Sequence, residues 1–278
     1  MYNGKNGTLK IENDTMDYIS IGKGEQILVV LPGLGDGLKT VKGMALLFAV
    51  MYHKLAGKYR VYFFSRRNRL PDPYSSKEMA KDVKLAMDML GIQKAHVLGV
   101  SQGGTIAQYV ALDYPERVEK LILAITYGKA NETVKTVVNQ WIAYAQKGDY
   151  PGLFVDMSEK IYCEKTLKRS RKLYWLLTRV GAPKHYDRFL IQAKACVTHD
   201  AYALLPQIKC PTLIIGGKQD KVVTAQASKE LANRIAQSSL ILYEEFGHGL
   251  YEEATDFWDR VTAFLENNEA KISCPVEM

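Results

Sequence analysis

The sequence predicts an α/β protein: a mostly parallel eight-stranded sheet opened by an N-terminal antiparallel hairpin, with helices on both faces and one helical insertion. Three observations predict it. Short apolar runs alternate with stretches of helical periodicity, the pattern of parallel strands joined by right-handed crossovers. The alternation fails from about Asn131 to Ala195, where only helical patterns are legible. That same stretch carries the charge excess. Between Gly128 and His199 thirteen Lys and Arg face six Asp and Glu, a difference of seven, and the whole chain carries +7. The expected division is a core of residues 1–127 and 200–278 around a basic helical unit of 128–199.

Taken in order, residues 8–21 alternate around Asn13-Asp14 and read as a hairpin. Residues 26–31 are a continuous apolar run, as in a strand buried on both faces, and lead into the glycine-rich Pro32-Gly-Leu-Gly-Asp-Gly37. A helix is expected over 41–55, a strand over 59–64, and a polar loop over 65–73. Ser75 and Glu78 have capping-box spacing. The helix they open places Met79, Val83, Ala86, Met87 and Leu90 on one stripe, with Met79, Met87 and Met89 as core filling and Gly91 as its C-cap. A strand over 97–100 is followed by a helix that Pro115 stops, and a strand over 118–125 follows. Inside the insertion, Gly148 to Gly152 and Gly181 to Pro183 separate the helical patterns. A strand over 211–215, a helix over 225–235 with Thr224 as its cap, a strand over 240–243 and a helix over 250–265 complete the chain.

Composition narrows the function classes. No run of about 18 apolar residues exists, so no membrane span is expected. The polar N-terminus lacks a secretory core, which points to the cytoplasm. The four cysteines, Cys163, Cys196, Cys210 and Cys274, form no C-x-x-C pair, fitting a reducing compartment rather than a zinc site or disulfide framework. Cys196 reads as a packed helix position. The basic excess, densest at Lys168-Arg-Ser-Arg-Lys172, reads as a solvated helical face, and no nucleic-acid partner is expected. Homodimerisation is left open.

The chemistry centres on Ser101. Gly99, Gly103 and Gly104 surround it, and it stands between a strand and a helix as G-x-S-x-G. A serine on so sharp a turn is held above the sheet edge, in a strained conformation that needs small neighbours. Its hydroxyl needs a base. Of five histidines, His248 lies between the last strand and the last helix, at the same carboxyl edge, flanked by Gly247 and Gly249. His53 and His96 are expected to be structural or exposed, whereas His185 and His199 could line a pocket. Asp220, just past a strand end, is the expected partner of His248, giving the order Ser, Asp, His; Asp200 and Asp256 are reserves. The backbone N–H groups of Gln102 and Leu34 are the expected oxyanion donors. The loop at 32–37 matches neither phosphate-binding glycine motif, and no cofactor or metal is expected.

These residues, with Leu31-Pro-Gly-Leu-Gly, Gly99-Val-Ser-Gln-Gly-Gly, Pro115-Glu-Arg-Val-Glu-Lys-Leu-Ile-Leu, Cys210-Pro-Thr-Leu-Ile-Ile-Gly-Gly-Lys-Gln-Asp and Phe246-Gly-His-Gly, resemble the α/β-hydrolase family, in its capped esterase and carbon–carbon hydrolase branch. The resemblance implies that the insertion is a cap whose aromatic residues, Trp141 and Tyr144 among them, either line the pocket or join cap to core. Two departures stand out. Pro32-Gly33 replaces a His-Gly, removing a side chain that supports the oxyanion loop. Ser65-Arg-Arg-Asn-Arg-Leu replaces a compact turn, and its Arg66, Arg67 and Arg69 read as a solvated basic loop in preference to a fork for an anionic group. Gly33, Arg66, Trp141 and Tyr127 are the expected substrate contacts. The implied function is a serine hydrolase of a small-molecule carboxylic ester or related acyl bond. Carbon–carbon bond hydrolysis, acyl transfer, cofactor-free peroxidation and a non-enzymatic ligand receptor are the alternatives.

Overall fold

The computed structural model describes residues 3–267; Cys274 lies outside them. Strand β1 (Gly4–Ile11) pairs antiparallel with β2 (Asp14–Ile21). The turn is Glu12-Asn13, one residue earlier than the spacing suggests, with Glu12 at φ 53°. Strands β3 (Gln26–Leu31), β4 (Tyr59–Arg67), β5 (Ala95–Val100), β6 (Val118–Ala124), β7 (Thr212–Gly217) and β8 (Ser238–Tyr243) run parallel to one another, and β2 joins them antiparallel through β4. The order across the eight-stranded sheet is β1-β2-β4-β3-β5-β6-β7-β8.

Helices cover both faces, which explains the apolar run of β3. Val29 and Leu31 pack with α3 (Ser76–Met89) and α4 (Gln102–Asp113), while Leu28 and Val30 pack on the opposite face. That second face is covered by α1 (Ala45–Met51) and α2 (His53–Ala56), together with a helix at the end of the chain. The helix expected over 41–55 is therefore two. Gly43 at φ +82° delays its start, and Tyr52 leaves helical geometry while its ring packs on Phe63 at 5.0 Å. The capping box of Ser75 and Glu78 forms, and Gly91 closes α3 at φ +68°. Met89 falls on the outer face of α3, 51% exposed, outside the core that Met79 and Met87 fill.

Between β6 and β7 stand five helices: α5 (Glu132–Gln146), α6 (Tyr150–Ile161), α7 (Glu164–Ser170), α8 (Tyr174–Val180) and α9 (Asp187–Thr198). Asn131 caps α5 through the Val134 N–H at 2.9 Å, and Asp149 caps α6 through Gly152 at 2.9 Å. This insert docks through Val134, Val138, Leu153, Phe189 and Ala193 onto Leu34, Tyr127, Val222 and Val223. Its two ends are joined at the root, where Ala130 N–H donates to the His199 carbonyl and Ala201 N–H to that of Gly128.

The chain ends with α10 (Ala225–Arg234), α11 (Leu250–Glu253) and α12 (Phe257–Leu265). Thr224 takes the N-cap position of α10 without a side-chain bond, because its backbone sits at φ 70°, ψ 150°. The helix expected over 250–265 breaks at residues 254–256, where Ala254 is extended and the Asp256 carboxylate accepts from Tyr243 Oη and Arg260.

Candidate active site

Five parallel strands end on one edge of the sheet, and each delivers part of the site just beyond its last residue. After β5, Ser101 sits at φ 53°, ψ −119°. The turn tolerates no bulk: a Cβ on Gly99 would overlap the Gly103 carbonyl, and one on Gly103 would overlap that of Leu31. The strain, about 1–3 kcal/mol for such a residue, is held by its neighbours. Ser101 N–H donates to the Ala124 carbonyl at 2.9 Å, and Thr126 Oγ1 donates to the Ser101 carbonyl at 2.7 Å. Ile125 after β6 (φ 45°) and Thr224 beyond β7 (φ 70°) are held in the same region, unusual for β-branched residues.

Ser101 Oγ lies 2.9 Å from His248 Nε2, and His248 Nδ1 lies 2.9 Å from Asp220 Oδ2. With Nδ1–H donating to the carboxylate, Nε2 is left to accept the serine proton. The other oxygen of Asp220 accepts the N–H groups of Val222 and Val223 at 2.7 and 2.9 Å. Burial pushes the Asp220 carboxyl up, but the His248 charge, its hydrogen bond and those two amides outweigh burial and hold it below the ordinary carboxylate range. The His248 loop is tied to the insert by Gly249 N–H, which donates to the Ile161 carbonyl at 2.6 Å. The reserve acids are occupied elsewhere, Asp200 with Lys129 and Asp256 with Arg260.

Above Ser101 lies a cavity of about 350 Å³. Pro32 to Asp36 form one wall, Met44 and Phe48 a second, and Trp141, Met157, Ile161 and Tyr162 of the insert a third, with Tyr251 and Glu252 beside His248. Gly33 approaches so closely that a Cβ on it would meet Ser101 Cβ at 3.4 Å. Leu34 opens the short helical turn Leu34–Gly37, and Gln102 opens α4. The first amides of such segments have no acceptor within their own helix. Trp141 is fixed by its Nε1–H to Asp156 at 2.8 Å. A larger, open groove of about 960 Å³ shares Tyr162 and Glu252 with this cavity, and Tyr162 Oη donates to the Glu252 carboxylate at 2.7 Å.

Two expected contacts do not reach the cavity. Tyr127 is buried under the insert, where its hydroxyl donates to the Cys196 carbonyl at 2.9 Å; it joins insert to core. Arg66 is also buried: β4 continues to Arg67, so residues 65–67 are strand rather than loop. Its guanidinium faces the back of the Pro32 loop. Nor is the arginine segment solvated, because Arg67 pairs with Asp82 and Glu12, and only Arg69 of the three is exposed. His199 is buried against Tyr109 and Tyr127, His185 and His53 are exposed, and His96 is buried beside Tyr59. In the basic cluster, Arg171 bridges Glu159 and Glu164.

Sequence reasoning missed Met44, Phe48, Met157, Ile161, Tyr251 and Glu252. Tyr251 and Glu252 were findable, since they follow His248 by three and four residues at the start of a helix. The others carry no local signal that separates a cavity wall from ordinary core. Among the described residues, no group of three or more His, Cys, Asp or Glu is placed to hold a metal ion, and no helix is long and apolar enough to cross a membrane.

Known proteins share this architecture. The chain is 26% identical over 265 residues to the 2-hydroxy-6-oxononadienedioate/2-hydroxy-6-oxononatrienedioate hydrolase of a Pseudomonas species, covering 91% of this chain and 92% of that protein. The fold is similar to that of an α/β hydrolase, MGS-M2, from a Medee basin deep-sea metagenome library, with a TM-score of 0.82 at 19% identity over 98% of this chain and 100% of that one. It is similar also to the enol-lactonase of Burkholderia xenovorans LB400, with a TM-score of 0.80 at 21% identity over 94% and 100% of the two chains. Residues 72–255, more than half of the chain, match the model of the hydrolase family described as serine aminopeptidase, S33. By sheet order, site placement and this match, the chain belongs to the α/β-hydrolase superfamily and is a hydrolase.

Proposed function

We propose that this hydrolase cleaves small, uncharged carboxylic esters through an acyl-enzyme, with Ser101 as nucleophile, His248 as general base and acid, and Asp220 as the group that orients His248. The observation that carries the reading is the hydrogen-bonded line Asp220–His248–Ser101 beneath a cavity walled mainly by apolar side chains. Ser101 Oγ attacks the ester carbonyl as His248 Nε2 takes its proton. The Leu34 and Gln102 amides receive the oxyanion. The imidazolium then protonates the departing alcohol, and water repeats the sequence to free the acid. The scheme calls on no cofactor.

The insert, residues 128–199, acts in this reading as a cap that closes the acyl pocket with Trp141, Met157, Ile161 and Tyr162. At about 350 Å³ the space is near the lower end for ligand pockets, which favours short acyl groups. Lys39 is the one Lys or Arg among the lining residues, against two acids, Asp36 and Glu252. That charge balance favours an ester over the doubly anionic dienedioates named for the Pseudomonas relative. Reaction with a fluorophosphonate probe should give a single adduct on Ser101, and p-nitrophenyl esters should turn over fastest at short chain length. Folded protein that carries no adduct on Ser101 would overturn the reading.

A further inference from the structure

Arg66 is one of the few buried charges that the proposed reaction does not use. Its residue is only 3% exposed, and it lies at the end of β4, the same sheet edge as Ser101. One nitrogen, Nη2, carries two hydrogens and meets two acceptors: the Pro32 carbonyl at 2.6 Å and Gln102 Oε1 at 3.1 Å. Those acceptors belong to the two chain segments that supply Leu34 N–H and Gln102 N–H to the site. The oxyanion loop, which the sequence leaves without a supporting side chain, is thus supported from β4.

The strand end that carries Arg66 is held in turn. Asp36, also buried, accepts the Arg66 backbone N–H at 3.1 Å, Arg188 Nη2 at 2.8 Å and Gln192 Nε2 at 3.3 Å through one oxygen. Gln102 Nε2 donates to the Gln192 carbonyl at 2.8 Å. Arg188 and Gln192 belong to α9, which packs so tightly on the loop that a Cβ on Gly37 would lie 2.7 Å from Phe189 Cα. Burial pulls the Arg66 pKa below its ordinary value and the Asp36 carboxylate opposes that shift; a guanidinium starts high enough to stay protonated at neutral pH.

We propose that Arg66 is the positioning residue of the oxyanion hole, joining its two donor segments through one guanidinium nitrogen, and that Gln192 of the insert completes the clamp. The proposal rests on the ester-hydrolysis reading above. Its physical basis is that buried ion clusters are poor stabilisers. In this one, Arg66 Nε, the second Asp36 oxygen and Gln192 Oε1 are buried with no hydrogen-bond partner among the described residues. Apolar side chains would fill the same space at less cost. What they could not do is hold the Pro32 carbonyl and the first residue of α4 at a fixed separation. An oxyanion hole depends on that separation, because its donors act only where the negative charge develops.

The test uses the full chain with p-nitrophenyl butyrate and an alkylboronic acid, whose tetrahedral adduct on Ser101 places an oxygen in the hole. Arg66→Met should lower kcat by about 10²-fold with KM within about threefold, and should weaken the boronate in parallel with kcat/KM. Arg66→Lys, which restores the charge and a donor nitrogen without the rigid planar fork, should recover about tenfold of that loss, and Gln192→Leu should cost about tenfold in kcat. An Arg66→Met enzyme with kcat within about threefold of wild type, or one that loses kcat while the boronate binds as before, overturns the proposal. If Arg66→Met gives no cooperative melt, Arg66→Lys and Gln192→Leu decide. Both within about threefold of wild type in kcat and boronate affinity overturns it equally. Wild-type protein that is unlabelled by fluorophosphonate and inert to esters overturns the ester reading together with the clamp. Labelled, active protein with unaffected variants overturns the clamp alone.

Discussion

The elbow at Ser101 and the helical insert face each other across one cavity and are built on opposite terms. At the elbow, backbone does the placing. Ser101 is held at positive φ through its own backbone groups, its N–H on the Ala124 carbonyl and its carbonyl under the Thr126 hydroxyl, and Gly99 and Gly103 admit no Cβ. In the insert, side chains do the placing. Trp141, Met157, Ile161 and Tyr162 present the wall, while α8 and the turn before it leave Leu173 50% and Trp175 61% exposed. Ser101, the nucleophile of the proposed reaction, therefore sits on the least adjustable part of the molecule and the cavity wall on a far more adjustable one. Substitutions at the first should abolish the reaction or the fold, and those at the second should retune or do nothing.

The comparison breaks first at Ser101. Ser101→Ala should lose about 10⁶-fold in ester kcat, with little change in stability, because alanine keeps the same backbone strain. A variant with more than about a hundredth of wild-type turnover would remove the elbow from the reaction. Gly103→Ala should cost about 3 kcal/mol, read from urea unfolding, since its Cβ meets backbone rather than a movable side chain. Full stability would show that the turn is looser than its packing implies.

Acid sharpens the contrast at the root of the insert. Burial pushes the His199 pKa down to about 4, with Asp200 opposing. Between about pH 4 and 6.5 the unfolded chain then binds a proton that the folded chain does not, so stability falls as pH drops through that window, by about 3 kcal/mol in all. His96, lowered by burial, acts in the same direction. Asp220 differs. Its folded pKa is depressed, so its contribution is complete above about pH 4 and is lost only as pH falls through the lower folded value. His199→Leu should flatten the slope of stability between pH 6.5 and 4, and an unchanged slope would exclude this residue as its source.

Smaller effects belong to the pocket wall and the outer surface. Met157→Ala should enlarge the cavity and shift the preference toward longer p-nitrophenyl esters by about tenfold in kcat/KM, with fluorophosphonate labelling intact. Loss of labelling would mean that the insert helps to place Ser101 itself. Trp175→Ser should leave ester turnover unchanged and alter stability by less than about 0.5 kcal/mol, measured in the same urea series.

What was legible in the sequence follows the same division. The run over 26–31 is β3 to the residue, and the capping box opens α3 where expected. The spacing that set Ser101, Asp220 and His248 on one sheet edge reappears as two contacts of 2.9 Å. The helix breaks at Tyr52 and at residues 254–256 were not legible, since no proline or glycine marks them. They arise where Tyr52 packs on Phe63 and where Asp256 binds Tyr243 and Arg260.

By itself the sequence determined the succession of strands, the turn at Ser101 and the order of Ser101, Asp220 and His248, because these depend on local backbone rules: period, turn geometry and the sizes of adjacent residues. Only the tertiary structure decided the fate of the charged and aromatic side chains. Arg66 left the solvent because Pro32, Gln102 and Asp36, thirty or more residues away, were there to meet it. Tyr127 left the pocket because Cys196 lay above it. Burying a polar group is costly unless a partner is in place, and those partners come from distant segments that no local pattern names.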